Sequence, residues 1–205
     1  MQSGGLNEAY SDIMACAFEF ALDDPRDRPD FFIGESLGEG VLRDMEKPSN
    51  DGSSIDDFCA YEGAMSVHFS SGFLNRAYFN AVKSCESTCG TTSECAVLMA
   101  NMFMYTNLES LSKLSDFKDV AQHTCRNVEE FFEARSPTKK CSAVQAREAI
   151  IRGFASVGLH VDAERDCRVS IECRRRFLPL RLVETLTNLW TALKDILFAF
   201  RSDTE

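Results

Sequence analysis

Nine cysteines in 205 residues constrain this chain more than any other feature. That is too many for a typical cytosolic enzyme of this length, and Cys85, Cys89 and Cys95 crowd one short segment, which predicts covalent bracing in an oxidising compartment. Spacing alone leaves the pairings open. The odd count leaves at least one thiol without an intrachain partner, and Cys16, on a helical pattern with Ile13, Ala17 and Phe20, is expected to be buried and free. A Cys/His metal module built from Cys85, Cys89, Cys95, His123 and Cys125 is the weaker reading, because paired C-x-x-C elements are absent. A nucleophilic pair of Cys59 and His68 is weaker still, since nothing nearby marks an activated thiolate.

At 44% hydrophobic residues the chain can bury one ordinary core with a small appendage. Its net charge of −10 argues against non-specific nucleic-acid binding, which needs a positive surface. The acidity is uneven: Glu8, Glu19, Asp23, Asp24, Asp27, Asp30, Glu35 and Glu39 form either a solvated face or a site for a hard cation.

Leu6, Ala9, Tyr10, Ile13, Met14, Ala17, Phe18 and Ala21 predict a helix from about Leu6 to Leu22, with Glu8 and Asp12 one turn apart on a shared side. From Asp23 to Ser66, Pro25, Pro29, Pro48 and the run Ser49–Ser54 break any period. A segment this long without periodicity is expected to be functional or pinned by an ion. Phe73, Leu74, Ala77, Tyr78, Ala81 and Val82 restore a helical stripe directly after His68, and further helices are expected over 94–105, 115–132 and 142–157. The last carries a Ser142-x-x-Gln145 capping box and ends at Gly158. A final helix should run from Pro179 to about Phe200 along a Leu182, Leu186, Leu189, Leu193, Ile196 seam whose polar interruptions exclude a membrane span. No strand pattern is convincing. The fold class read from the sequence is mainly α: a helical bundle with a long irregular loop region and an extra C-terminal helix, divided as 1–160 and 161–205.

Two segments carry chemistry. Gly5-Leu6-Asn7-Glu8-Ala9-Tyr10-Ser11-Asp12 resembles the zinc-ligand helix of the thermolysin family of neutral metalloendopeptidases. Val67-His68-Phe69-Ser70-Ser71-Gly72-Phe73-Leu74-Asn75-Arg76-Ala77 resembles that family's active-site histidine segment. The resemblance runs from Gly4 to about Leu159, strongly to Ala81 and thinly between Cys85 and Lys140, and it implies the family's C-terminal helical domain. Glu8 would then be the third zinc ligand, with Asp12 orienting a ligating histidine. His68 would stabilise the developing oxyanion. Leu42-Arg43-Asp44-Met45 resembles a segment whose arginine clamps the substrate backbone and whose leucine lines the primary pocket. Arg28 to Glu35 resembles the family's calcium segment, with Glu19, Asp30 and Glu35 as oxygen donors. The aspartate that orients the family's histidine has no counterpart; Glu62 and Ser66 are the nearby candidates.

The H-E-x-x-H helix, which would supply two histidine ligands and a general base, is not in the chain, whose histidines are His68, His123 and His160. No signal peptide is visible at Met1, so the sequence is expected to be a piece of a secreted protease, inactive alone, whose catalytic half lies upstream. The implied partners are that half and a peptide or protein substrate, with zinc and possible calcium as cofactors. The alternative is a stand-alone, non-catalytic remnant that binds a protein.

Overall fold

The computed structural model describes residues 2–38, 40–135, 138 and 140–173. The expected helix from Pro179 to about Phe200 lies outside the described residues. Met1–Cys173 form one compact unit. Within it, in chain order, lie α1 (Gln2–Leu22), β1 (Phe32–Ile33), β2 (Arg43–Asp44), α2 (Val67–Ser70), α3 (Gly72–Glu86), α4 (Thr92–Glu109), α5 (Phe117–Arg126), α6 (Val128–Arg135), α7 (Ala143–Ser156), β3 (Leu159–Asp162) and β4 (Arg168–Ile171). The fold is mainly helical, as the periodicity implies.

α1 begins four residues before its apolar stripe. The Gln2 side-chain oxygen accepts the Phe117 N–H at 3.0 Å, so tertiary contact with the first turn of α5 overrides the poor helix propensity of Ser3-Gly4-Gly5. α4 exceeds its expected bounds at both ends, and at its start Thr91 and Glu94 form a reciprocal capping box. The capping box at Ser142 and Gln145 opens α7 as the sequence indicates. Gly158, at φ +84°, follows in the left-handed conformation that ends the helix and turns the chain into β3. The single helix expected over 115–132 is instead two, parted at Asn127, whose side-chain amide donates to Ser110 Oγ at 2.8 Å.

The expectation of no strands is corrected by two small antiparallel sheets, β1 with β2 and β3 with β4. Two-residue strands are too short to show alternation. In β3, Leu159 and Val161 are buried while His160 and Asp162 are not, a period of two that is too brief to stand out beside the preceding helix. The boundary at residue 160 falls inside β3, and this hairpin is tied back by Cys125–Cys167 and Cys59–Cys173.

The core lies between α3 and α7 and between α1 and α4, around Ile13, Phe73, Leu74, Tyr78, Met99, Phe103, Ile150 and Phe154, all fully buried. Phe117 of α5 packs edge-to-face on Phe73 with ring centroids 4.6 Å apart. Among its described residues the segment from Asp23 to Ser66 contains no α-helix; aspartate side chains fix its turns instead. Asp24, Asp30, Asp44, Asp51 and Asp57 each accept a backbone N–H two residues on. Cys85 pairs with Cys95 and Cys89 with Cys141, while Cys16 is buried and free, as expected.

Candidate functional site

Three segments far apart in sequence converge on one polar surface. α1 contributes Glu8 and Asp12, which its pitch sets one turn apart. β2 contributes Arg43, and α2 contributes His68 just before the break at Ser71 that starts α3. Glu8 Oε2 lies 2.9 Å from His68 Nδ1 and 3.9 Å from Arg43 Nη2. Arg43 Nε lies 3.2 Å from Asp12 Oδ2, and Asn75 Nδ2 donates to that same oxygen at 2.8 Å. The network thus runs from exposed His68, through half-buried Glu8 and Arg43, down to buried Asp12 and Asn75.

Burial pushes the Asp12 carboxyl above its ordinary range; the Asn75 hydrogen bond and the Arg43 charge oppose that rise, while the nearby Glu8 charge adds to it. A carboxylate taken out of water needs such partners to stay charged. Neither Glu62 nor Ser66 takes the orienting place at His68: its Nδ1 is paired with Glu8 instead. Asn75 is the residue of this network to which the sequence assigned no role. The available signal was an amide on the buried face of an otherwise apolar helical stripe.

Leu42 stands beside this network. With Phe32, Val41, Arg43, Asp44, Asn50 and Asp51 it lines a shallow cleft of about 300 Å³. Leu42 is 53% exposed, so it stands open to an apolar side chain.

A second cluster lies at the other end of α1. Carboxylate oxygens of Glu19, Asp30 and Glu35 lie within 4.8 Å of one another. Glu35 Oε2 is buried without a hydrogen-bond partner, and burial, followed by the charges of Glu35, Asp30 and Asp27, raises the Glu19 carboxyl. Three carboxylates converging with one oxygen unsatisfied make a donor set that suits a hard cation. The zinc donor set is different. Among the described residues Glu8 belongs to no cluster of three metal-ligating side chains, so it offers a single carboxylate donor. The candidate Cys/His module is not formed: Cys85, Cys89, Cys95 and Cys125 are all in disulfides, and Cys59 is bonded to Cys173.

Residues 1–150 match the family described as thermolysin metallopeptidase, alpha-helical domain. The chain is similar to the transglutaminase-activating metalloprotease of Streptomyces mobaraensis, with 48% identity over 84 residues, 39% of this chain and 11% of that protein. It is similar to the neutral protease of Vibrio proteolyticus, with 42% identity over 79 residues, 38% of this chain and 12% of that protein. The zinc metalloprotease of Helicobacter pylori shows 42% identity over 79 residues, 38% of this chain and 29% of that protein. The matched stretch thus spans less than a third of each of these relatives.

Proposed function

Because the chain belongs to the thermolysin metallopeptidase family, whose alpha-helical domain it carries, we propose that it forms one wall of a zinc-dependent peptide-hydrolysing site. The convergence of Glu8, Asp12, Arg43 and His68 from three segments carries this reading. Glu8 would be one zinc donor, and the others, with the general base, would come from polypeptide outside this sequence. Zinc, when bound, supplies polarisation of a peptide carbonyl and of a water. Asp12 would hold the N–H of a ligating imidazole. Arg43 would present its donor fork to a substrate carbonyl, and Leu42 would face an apolar side chain of the substrate. His68 would donate a hydrogen bond to the oxygen that gains charge as the carbonyl is attacked.

His68 Nδ1 is paired with Glu8 Oε2, one of the two carboxylate oxygens that Glu8 could offer to zinc. Glu19, Asp30 and Glu35 would hold calcium. The four disulfides support an oxidising, extracellular setting for this reading. Among the described residues no helix is long and apolar enough to cross a membrane.

A second reading, a non-catalytic protein-binding domain, draws on the exposed Phe18, Leu22, Val41 and Leu42. Equilibrium dialysis separates the two. The chain mixed with a synthetic helical peptide bearing His-Glu-x-x-His should retain zinc at least tenfold more tightly than either component alone, and Glu8→Ala should remove the gain. Equal retention with and without the chain would sink the protease reading.

A further inference from the structure

We propose that Asn75 is a positioning residue of this site: it clamps one oxygen of Asp12 so that the other is presented to a donor arriving from outside. The inference rests on Asp12 acting as the acidic partner of a metal-bound imidazole. Asn75 sits on α3, 1% exposed, and reaches across 63 positions of sequence to α1. Its Nδ2 and Arg43 Nε both approach Asp12 Oδ2, at 2.8 and 3.2 Å. Two donors on one oxygen leave Asp12 Oδ1 without a hydrogen bond among the described residues, and that oxygen is not one of the buried unpartnered atoms. It is therefore the acceptor this buried carboxylate keeps open. A free carboxylate could rotate and exchange its oxygens; one held from opposite elements, α3 and β2, cannot do so without breaking both contacts.

The other end of the same amide supports the assignment. Asn75 Oδ1 is buried and has no partner among the described residues, a cost that the fold carries. An asparagine retained for stability alone would satisfy both ends of its amide, and a leucine of similar size would remove the orphan oxygen altogether. The N–H toward Asp12 is the half of the side chain that has a use. The amide orientation follows from chemistry, since an ionised carboxylate only accepts and Nδ2 must face it.

The test reads Arg43, which touches Asp12 but not Asn75, in the full chain by nuclear magnetic resonance. In the parent protein the Arg43 Nε–H should exchange slowly with solvent, because Asp12 is held against it. In Asn75→Leu that exchange should rise at least tenfold. Asn75→Gln, which retains a donor on a longer stem, should recover part of the protection. A purely structural asparagine would leave Arg43 exchange within twofold of the parent, whatever the thermal midpoint, and that result overturns the proposal. If Asn75→Leu does not fold, Asn75→Ser, too short to reach Asp12, is read by the same criterion. No metal enters the measurement, so failure here and failure of the zinc-retention experiment are separately visible.

Discussion

Calcium should stabilise this protein through the Glu19, Asp30 and Glu35 cluster, and the size of the effect can be worked from the structure. Oxygens of the three carboxylates lie within 4.8 Å of one another. At that separation each like-charge pair opposes folding by about 1–3 kcal/mol, the lower end applying because all three side chains are partly solvated. The Glu19 pKa is raised, by burial first and then by Glu35, Asp30 and Asp27. A raised carboxyl favours the protonated native state, so its contribution is intact below the ordinary glutamate range of about 4.3 and is lost as pH climbs through the folded value. In calcium-free buffer, raising the pH to neutrality should therefore cost the parent protein more stability than Glu19→Gln. A divalent cation reverses the sign of the interaction. For a dissociation constant of about 0.1–1 mM, the range of extracellular calcium modules, 10 mM calcium adds about 1.4–2.7 kcal/mol. In a domain of this size that is a rise of roughly 3–10 °C in thermal midpoint. Scanning calorimetry at pH 7 with 10 mM calcium chloride, against sodium chloride of equal ionic strength, measures it. Glu35→Gln, which removes the charge behind the unpartnered oxygen, should abolish most of the rise. An equal rise in sodium chloride, or in Glu35→Gln, would show that screening rather than a site is responsible.

Two further outcomes concern packing and cross-links. Gly153→Ala places a Cβ 2.5 Å from the Ala77 carbonyl oxygen and 2.8 Å from Ala81 Cβ, so α3 and α7 must part. Overpacking of about 1–3 kcal/mol should exceed the ~1 kcal/mol gained in helix propensity, lowering the urea midpoint; an unchanged midpoint contradicts the close crossing. Removing Cys125–Cys167 by a double alanine substitution opens a loop of 42 residues and should cost up to about 4 kcal/mol in urea unfolding. A loss below roughly 1 kcal/mol would mean that the β3–β4 hairpin is held by Cys59–Cys173 and its buried Leu159 and Val161 without help from this cross-link.

The helices were legible because their apolar residues recur at the helical period over many turns, and the caps at Ser142 and Gly158 because few residue types serve each role. The strands were not, since two residues carry no period. Nor was the break at Asn127, which depends on a hydrogen bond to Ser110 that only the folded chain makes. The same division holds at the candidate site. Glu8, Asp12, Arg43 and His68 stood out by local context, whereas the links between them span 60 positions for Glu8 and His68 and 63 for Asp12 and Asn75. No window of sequence contains such a link.

That separation bears on how the site is built. Glu8 and Asp12 are placed by the pitch of one helix, so their spacing is fixed as soon as α1 forms. Arg43 and His68 come from segments whose positions depend on turns and short elements, and a loose arrangement of them would leave Asp12 buried with its charge unpaired. The two oxygens of Asp12 divide the labour: Oδ2 takes Arg43 and Asn75 and so joins β2 and α3 to α1, while Oδ1 stays open. Glu8, one turn away and half exposed, is paired among the described residues with the exposed imidazole of His68 and with Arg43 at 3.9 Å. The carboxylate that anchors is thus buried, and the one proposed to ligate is left free to exchange partners. A metal ligand needs that freedom, because an oxygen already locked in a buried ion pair could bind a cation only by dismantling the fold beneath it.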